Sequence, residues 1–193
     1  MKQKLLHKLN KRQGFSLTEM LATVLIMGFV GIIITTGAAT VQRVYRKVVA
    51  HANAQTALTT TITLMKDQLA FADPESVGNG SETGTGFGNS QTIVFKNLNS
   101  GEQTITLNPG TANRGFTLTY TAGNGTGTSS TTLPLLSDSA ITSDLCVCFD
   151  TDGGFTWDPT TKVITVTNLV AKDTRTDTVQ ARASFKVLLV NDK

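Results

Sequence analysis

Leu21-Ala22-Thr23-Val24-Leu25-Ile26-Met27-Gly28-Phe29-Val30-Gly31-Ile32-Ile33-Ile34 lies inside a longer run, Met20 to Gln42, in which no residue carries a charge. A helix of that length crosses a hydrocarbon layer of about 30 Å. Lys2, Lys4, Lys8, Lys11 and Arg12 precede the run, whereas Arg43, Arg46 and Lys47 follow it. The larger cationic cluster on the leading side favours an N-terminus inside the membrane and the bulk of the chain outside.

Glu19 does not fit a plain membrane anchor. A carboxylate at the start of an apolar run is costly unless it meets a cation or stays at the interface. A cut between Gly14 and Phe15 supplies a partner, because the new ammonium at Phe15 stands four residues from Glu19, about one helical turn. It is then able to pair with Glu19 of the same chain or of a neighbour.

The segment Lys11-Arg12-Gln13-Gly14-Phe15-Ser16-Leu17-Thr18-Glu19-Met20-Leu21 resembles the class III signal of the type IV pilin family. The shared features are a short basic leader, Gly before the cut, Phe after it, Glu at the fifth mature position and an immediate hydrophobic span. The resemblance covers residues from about 8 to 41. It implies cleavage after Gly14 by a membrane prepilin peptidase, N-methylation of Phe15 by the same enzyme, and use of Glu19 in subunit assembly. Many members carry a proline in the second half of the span, but here none occurs before Pro74. Local unwinding in a filament therefore falls to Gly28, Gly31 and Gly37.

Two plainer readings compete. A conventional secretory signal has the same basic region and apolar core, with Gly37-Ala38-Ala39 as a cleavage site, but its core is usually only about 7–15 residues. An uncleaved anchor is the other. Both leave Glu19 unexplained.

Beyond the span, Val41, Tyr45, Val48 and Ala52 fall on one helical face, followed by Leu58, Ile62, Met65 and Leu69. This spacing predicts an amphipathic helix. No Gly or Pro interrupts residues 38–72, and Asp73-Pro74 is a stop signal. The expected helix runs from about Leu17 to Ala72. Its β-branched Thr59-Thr60-Thr61 cluster is a place where it either breaks or depends on packing.

Residues 76–90 contain five glycines among Ser, Thr and Asn, and read as a mobile surface loop. Short alternating runs follow: 92–95, 104–107, 116–120, 145–149, 163–167 and 185–190. Asn99-Ser100-Gly101, Asn108-Pro109-Gly110, Gly123-Asn124-Gly125 and Asp152-Gly153-Gly154 read as turns between them. The pattern predicts an antiparallel sheet with one face on the helix. Leu145, Val147 and Phe149 alternate with Cys146 and Cys148, which suggests a strand buried on both faces and admits a second small sheet.

The expected class is α+β, a long N-terminal helix packed on a C-terminal antiparallel sheet. The expected segments are a leader (1–14), a transmembrane or filament-core helix (15–41), an amphipathic helix (42–73), a Gly-rich loop (74–90) and a β-rich domain (91–193).

Charge and chemistry narrow the function. Of seventeen basic residues five lie in the leader, which leaves twelve against fourteen acidic residues, a net of −2. A clustered basic footprint for nucleic acid is not visible there. Neither His7 nor His51 has the makings of a catalytic pair, and no G-x-S-x-G, P-loop or H-E-x-x-H motif is present. No enzymatic activity, cofactor or metal is expected. Asp150, Asp152 and Asp158 offer oxygens to calcium but lack the regular ligand spacing of an EF-hand, so Asp152-Gly153-Gly154 is expected to be a hairpin turn. Phe155 and Trp157 are read as core anchors, with an exposed contact patch as the alternative. The Thr/Ser-rich stretch 126–132 accepts glycans or simply solvates a loop. Cys146-Val147-Cys148 suits neither a C-x-x-C redox motif nor paired zinc ligands. Two reduced thiols in a strand are expected, a strained local bridge or pairing with another chain being the alternatives.

The expected function is thus a structural subunit of a type IV pilus or pilus-like filament. It begins in the cytoplasmic membrane as a single-pass protein and ends in a cell-surface filament, with prepilin peptidase and other pilin subunits as partners. The alternatives are a pseudopilin of a type II secretion or competence system and a membrane-tethered surface binding module that never polymerises.

Overall fold

A computed structural model of the chain describes residues 16–80, 83–97, 103–109, 115–124, 127–137 and 144–190. The chain divides into two compact units, Met1–Lys47 and Val48–Lys193. One long N-terminal helix and a C-terminal antiparallel β domain of two sheets make it an α+β protein.

Helix α1 spans Leu17–Ala70. It begins where Ser16 accepts from the Glu19 amide, through both its carbonyl (3.0 Å) and its side-chain Oγ (3.3 Å). This satisfies a donor that the first turn otherwise leaves open. The helix does not break at the threonine cluster. Thr59, Thr60, Thr61 and Thr63 Oγ1 each donate to the carbonyl four residues earlier, at 2.8–3.0 Å. Hydroxyls bonded in this way stop competing with the ladder. The predicted end, Asp73-Pro74, holds to within a turn. Asp73 caps a short 3-10 helix, Pro74–Ser76, by accepting from the Glu75 amide.

In the second unit the apolar stripe of α1 is Ala54, Ala57, Leu58, Thr61, Met65 and Leu69, all buried. Leu58, Met65 and Leu69 of the predicted face are in the core, with Ile62 half-buried at its margin. The small Ala54 and Ala57 permit close approach. Lys66 Nζ also lies 5.4 Å from the centroid of the Phe185 ring, a cation–π contact between helix and sheet.

Among the described residues the strands are β1 (Phe87–Ser90), β2 (Ile93–Lys96), β3 (Thr104–Asn108), β4 (Thr117–Asn124), β5 (Gly127–Pro134), β6 (Leu145–Asp158), β7 (Val163–Asp173) and β8 (Thr178–Leu188). They form two four-stranded sheets, β1-β6-β7-β8 and β2-β3-β4-β5, where a single principal sheet is the sequence expectation. Every pairing is antiparallel. Alternation sends Ile93, Phe95, Ile105 and Leu107 inward from one sheet, and Val147, Phe155, Trp157, Ile164 and Val166 inward from the other. Phe116, Phe149 and Phe155 meet edge to face, with centroids 5.0 Å (Phe116–Phe149), 5.1 Å (Phe149–Phe155) and 6.5 Å (Phe116–Phe155) apart. Phe155 and Trp157 are core anchors, as expected, and not an exposed patch. Trp157 Nε1 finds no hydrogen-bond partner among the described residues, so packing alone holds the indole.

Three further expectations are corrected. The Gly-rich stretch is not merely a surface loop. Val77 is fully buried, Gly78 exchanges two 2.8 Å backbone hydrogen bonds with Val94, and residues 87–90 are strand β1. The Thr/Ser-rich stretch around 126–132 is largely strand β5, paired along its length with β4. Asp152-Gly153-Gly154 is no hairpin turn but the interior of β6, at a bulge between Phe149 and Gly154.

The physical reason for these two glycines is proximity. A Cβ on Gly153 would stand 2.9 Å from the Asn168 carbonyl oxygen, and one on Gly154 would stand 2.8 Å from that of Ser90. Glycine lets β1 and β7 close on β6. Gly154→Ala is therefore expected to destabilise the fold by about 1–3 kcal/mol, the usual cost of overpacking. Gly88→Ala, whose Cβ meets nothing within 4 Å, is the control. Thermal melts of the two variants check this, and equal melting temperatures would refute it.

Candidate functional site

The first candidate is the leading half of α1. Leu17, Val24 and Met27 expose 83%, 72% and 79% of their surface, and Ile32, Ile33 and Ile34 more than half of theirs. Among the described residues nothing covers this face. The segment is long and apolar enough to cross a membrane, by length and composition. Its hydroxyls are internally satisfied. Thr35, Thr36 and Thr40 donate to carbonyls one turn back at 2.8–3.0 Å, so no side-chain hydroxyl among them needs water. Gly28, Gly31 and Gly37 have nothing within 4 Å of where a Cβ would be. Their smallness thus serves no contact among the described residues, although each lowers helix propensity by about 1 kcal/mol relative to Ala.

Glu19 is exposed and belongs to the first turn of the helix. Ser16-Leu17-Thr18-Glu19 has the spacing of a capping box, and an acid there also suits the positive end of the helix dipole. This local position was legible in the sequence and is distinct from the charge pairing expected of Glu19. Gly14 and Phe15, the expected cleavage and methylation positions, lie outside the described residues, as does His7. Met20 and Gln42 bound the charge-free run within the helix. The division between units falls a few residues beyond Gln42, after the cations Arg43, Arg46 and Lys47.

The second candidate is on β6. Cys146 and Cys148 are both free; Cys146 is buried and Cys148 half-buried. As alternate residues of one strand they share a face, opposite that of Leu145, Val147 and Phe149. The Cys148 thiol and the Gly115 backbone are neighbours that act on the Cys146 thiol. Gly115 has φ +67, a left-handed conformation that glycine adopts without strain. Lys172 is the cross-strand partner of Cys146. The Cys148 thiol, the Gly115 backbone and the Lys172 charge together lower the Cys146 pKa to about 6 against the opposing effect of burial. The neighbouring Cys146 thiol, with burial, pushes Cys148 up.

The acids of β6 do not gather. Asp150 bonds the Arg182 guanidinium, and Asp158 caps the turn into β7 by accepting from the Thr160 amide (3.0 Å) and Thr161 Oγ1 (2.7 Å). These bonds hold the Asp158 carboxyl below the usual carboxylate range. Among the described residues no group of three His, Cys, Asp or Glu side chains is placed to hold a metal. His51 bonds Gln55 on an exposed helix face.

Compared with models of known protein families, with curated proteins and with solved structures, the chain matches none.

Proposed function

We propose that the chain is a prepilin, a non-enzymatic subunit of a type IV pilus or pilus-like filament. One observation carries this reading: an apolar helical surface that nothing described in its own chain covers, opened by the Gly14-Phe15 junction and Glu19. Such a surface needs lipid or other apolar helices around it. In this reading it resides first in the cytoplasmic membrane and then in a bundle of like helices. The three glycines, which meet nothing among the described residues, leave room for neighbouring helices to approach. Prepilin peptidase removes residues 1–14, and the exposed amine of Phe15 pairs with Glu19 of the same or an adjacent subunit.

Intact mass and N-terminal fragmentation of protein from its native host test the reading. The expected product begins at a methylated Phe15. A free Thr40 would point to an ordinary secretory signal and an intact Met1 to an uncleaved anchor, and either would overturn the proposal. Abundance in sheared filaments separates a pilin from a scarcer pseudopilin.

A further inference from the structure

We propose that Arg43, Arg46 and Lys47 form a docking face for the phosphate groups of anionic lipid, just past the end of the apolar span. The proposal rests on the reading of that span as a membrane helix. Its first support is the arrangement of charge on α1. The three cations follow the i, i+3, i+4 spacing and so share one face of a continuous helix. Val41 and Tyr45, 68% and 69% exposed, stand on the opposite face. All three cations are exposed, and among the described residues none forms an ion pair. Like charges at this spacing destabilise a helix, so the face gains from an anion laid across it.

Depth is the second support. At 1.5 Å per residue the charge-free run from Met20 to Gln42 is about 35 Å long, little more than the hydrocarbon layer of about 30 Å. With the run centred in the bilayer, Arg43 stands about 18 Å from the midplane and Lys47 about 24 Å. The headgroup layer ends about 20–22 Å from the midplane, and an ordinary tilt of about 20° draws both residues closer to it. Long cationic stems bend toward that layer, and Tyr45 falls at the level where amphipathic aromatic rings settle.

The chemistry of the face suits phosphate. A guanidinium fork matches two phosphate oxygens, and the lysine ammonium adds a point charge. A carboxylate of a second copy is the rival occupant. Glu19, the acid at the other end of the run, lies about 36 Å away along the axis, out of reach for a parallel neighbour in register. Lipid phosphate, in contrast, is at this depth as soon as the helix is inserted. The contacts fix how deeply the helix sits and hold it in the bilayer.

The test is native mass spectrometry of the full chain, released from detergent containing equal amounts of phosphatidylglycerol and phosphatidylcholine of the same acyl chains. The monomer is expected to retain phosphatidylglycerol at least about fivefold over phosphatidylcholine, the equivalent of one basic residue meeting an anionic surface. Combining Arg43→Gln, Arg46→Gln and Lys47→Gln, which keeps helix propensity, should remove most of that preference. The same change at Lys8, Lys11 and Arg12 of the leader should leave most of it. Excess inorganic phosphate should not displace the lipid. The proposal is overturned if the post-span variant keeps the wild-type preference, if free phosphate displaces the lipid, or if the wild type is a lipid-free dimer that the variant dissolves. Alkaline extraction of wild-type vesicles tests the span separately. A chain that is washed out removes the membrane reading and this proposal with it, whereas an inserted chain without anionic preference removes this proposal alone.

Discussion

Phe155→Ala is expected to lower the stability of the β domain by about 3–5 kcal/mol, the range for emptying a fully buried phenylalanine site. Phe155 has no exposed surface and packs edge to face on both Phe116 and Phe149. Phe116 leads into β4 of one sheet and Phe149 belongs to β6 of the other, so the three rings join the sheets where a cavity has least chance to collapse. Domains of this kind hold only about 5–15 kcal/mol in total. The variant should therefore melt roughly 6–20 °C lower, as followed by the near-ultraviolet circular dichroism of Trp157. Phe149→Ala, at a half-buried position, should cost less. A change under about 1 kcal/mol for Phe155→Ala would mean that the clasp is not a principal contact between the sheets.

What the sequence disclosed, and what it hid, follows from how each segment meets the core. Strands β2, β3 and β4 alternate cleanly because each sends one face inward and one toward Thr-rich surroundings. The second half of α1 shows a 4-3-4 spacing because only one stripe is buried. Strand β5 gave no such signal. Ser129 to Leu133 are exposed on both faces, so no period of two is imposed on a strand that is held by its ladder to β4. Strand β1 is four residues long, with Gly88 and Asn89 exposed, too short for a pattern. Asp152-Gly153-Gly154 misled because glycine serves two ends, turning a chain and letting strands come close, and composition does not distinguish them. The two-sheet arrangement was foreshadowed only at 145–149, where apolar and thiol side chains fill both faces. Of the candidate sites, Glu19 and the thiol pair stood out as residues. The Gly115 and Lys172 neighbours of Cys146 come from other strands and loops, and no local spacing announces them.

The proposed pairing of Glu19 with the Phe15 amine and its place in the capping-box spacing are separable, and two substitutions distinguish them. Glutamine at the third helical position preserves the capping-box pattern, whereas alanine abolishes both it and the charge. If Glu19 only starts the helix, Glu19→Gln should assemble normally. In the proposed filament, however, the Phe15 ammonium is left unpaired among apolar helices in either variant. Breaking a buried ion pair by removing one partner costs roughly 3–5 kcal/mol, or about two to four orders of magnitude in the incorporation equilibrium. Both variants are thus expected to be cut at Gly14 and to accumulate in the membrane, with almost none in sheared filaments. The alanine variant should also lose the capping-box pattern that the glutamine variant keeps. Filament yield from Glu19→Gln equal to wild type would remove charge pairing from the mechanism and leave Glu19 as a cap alone.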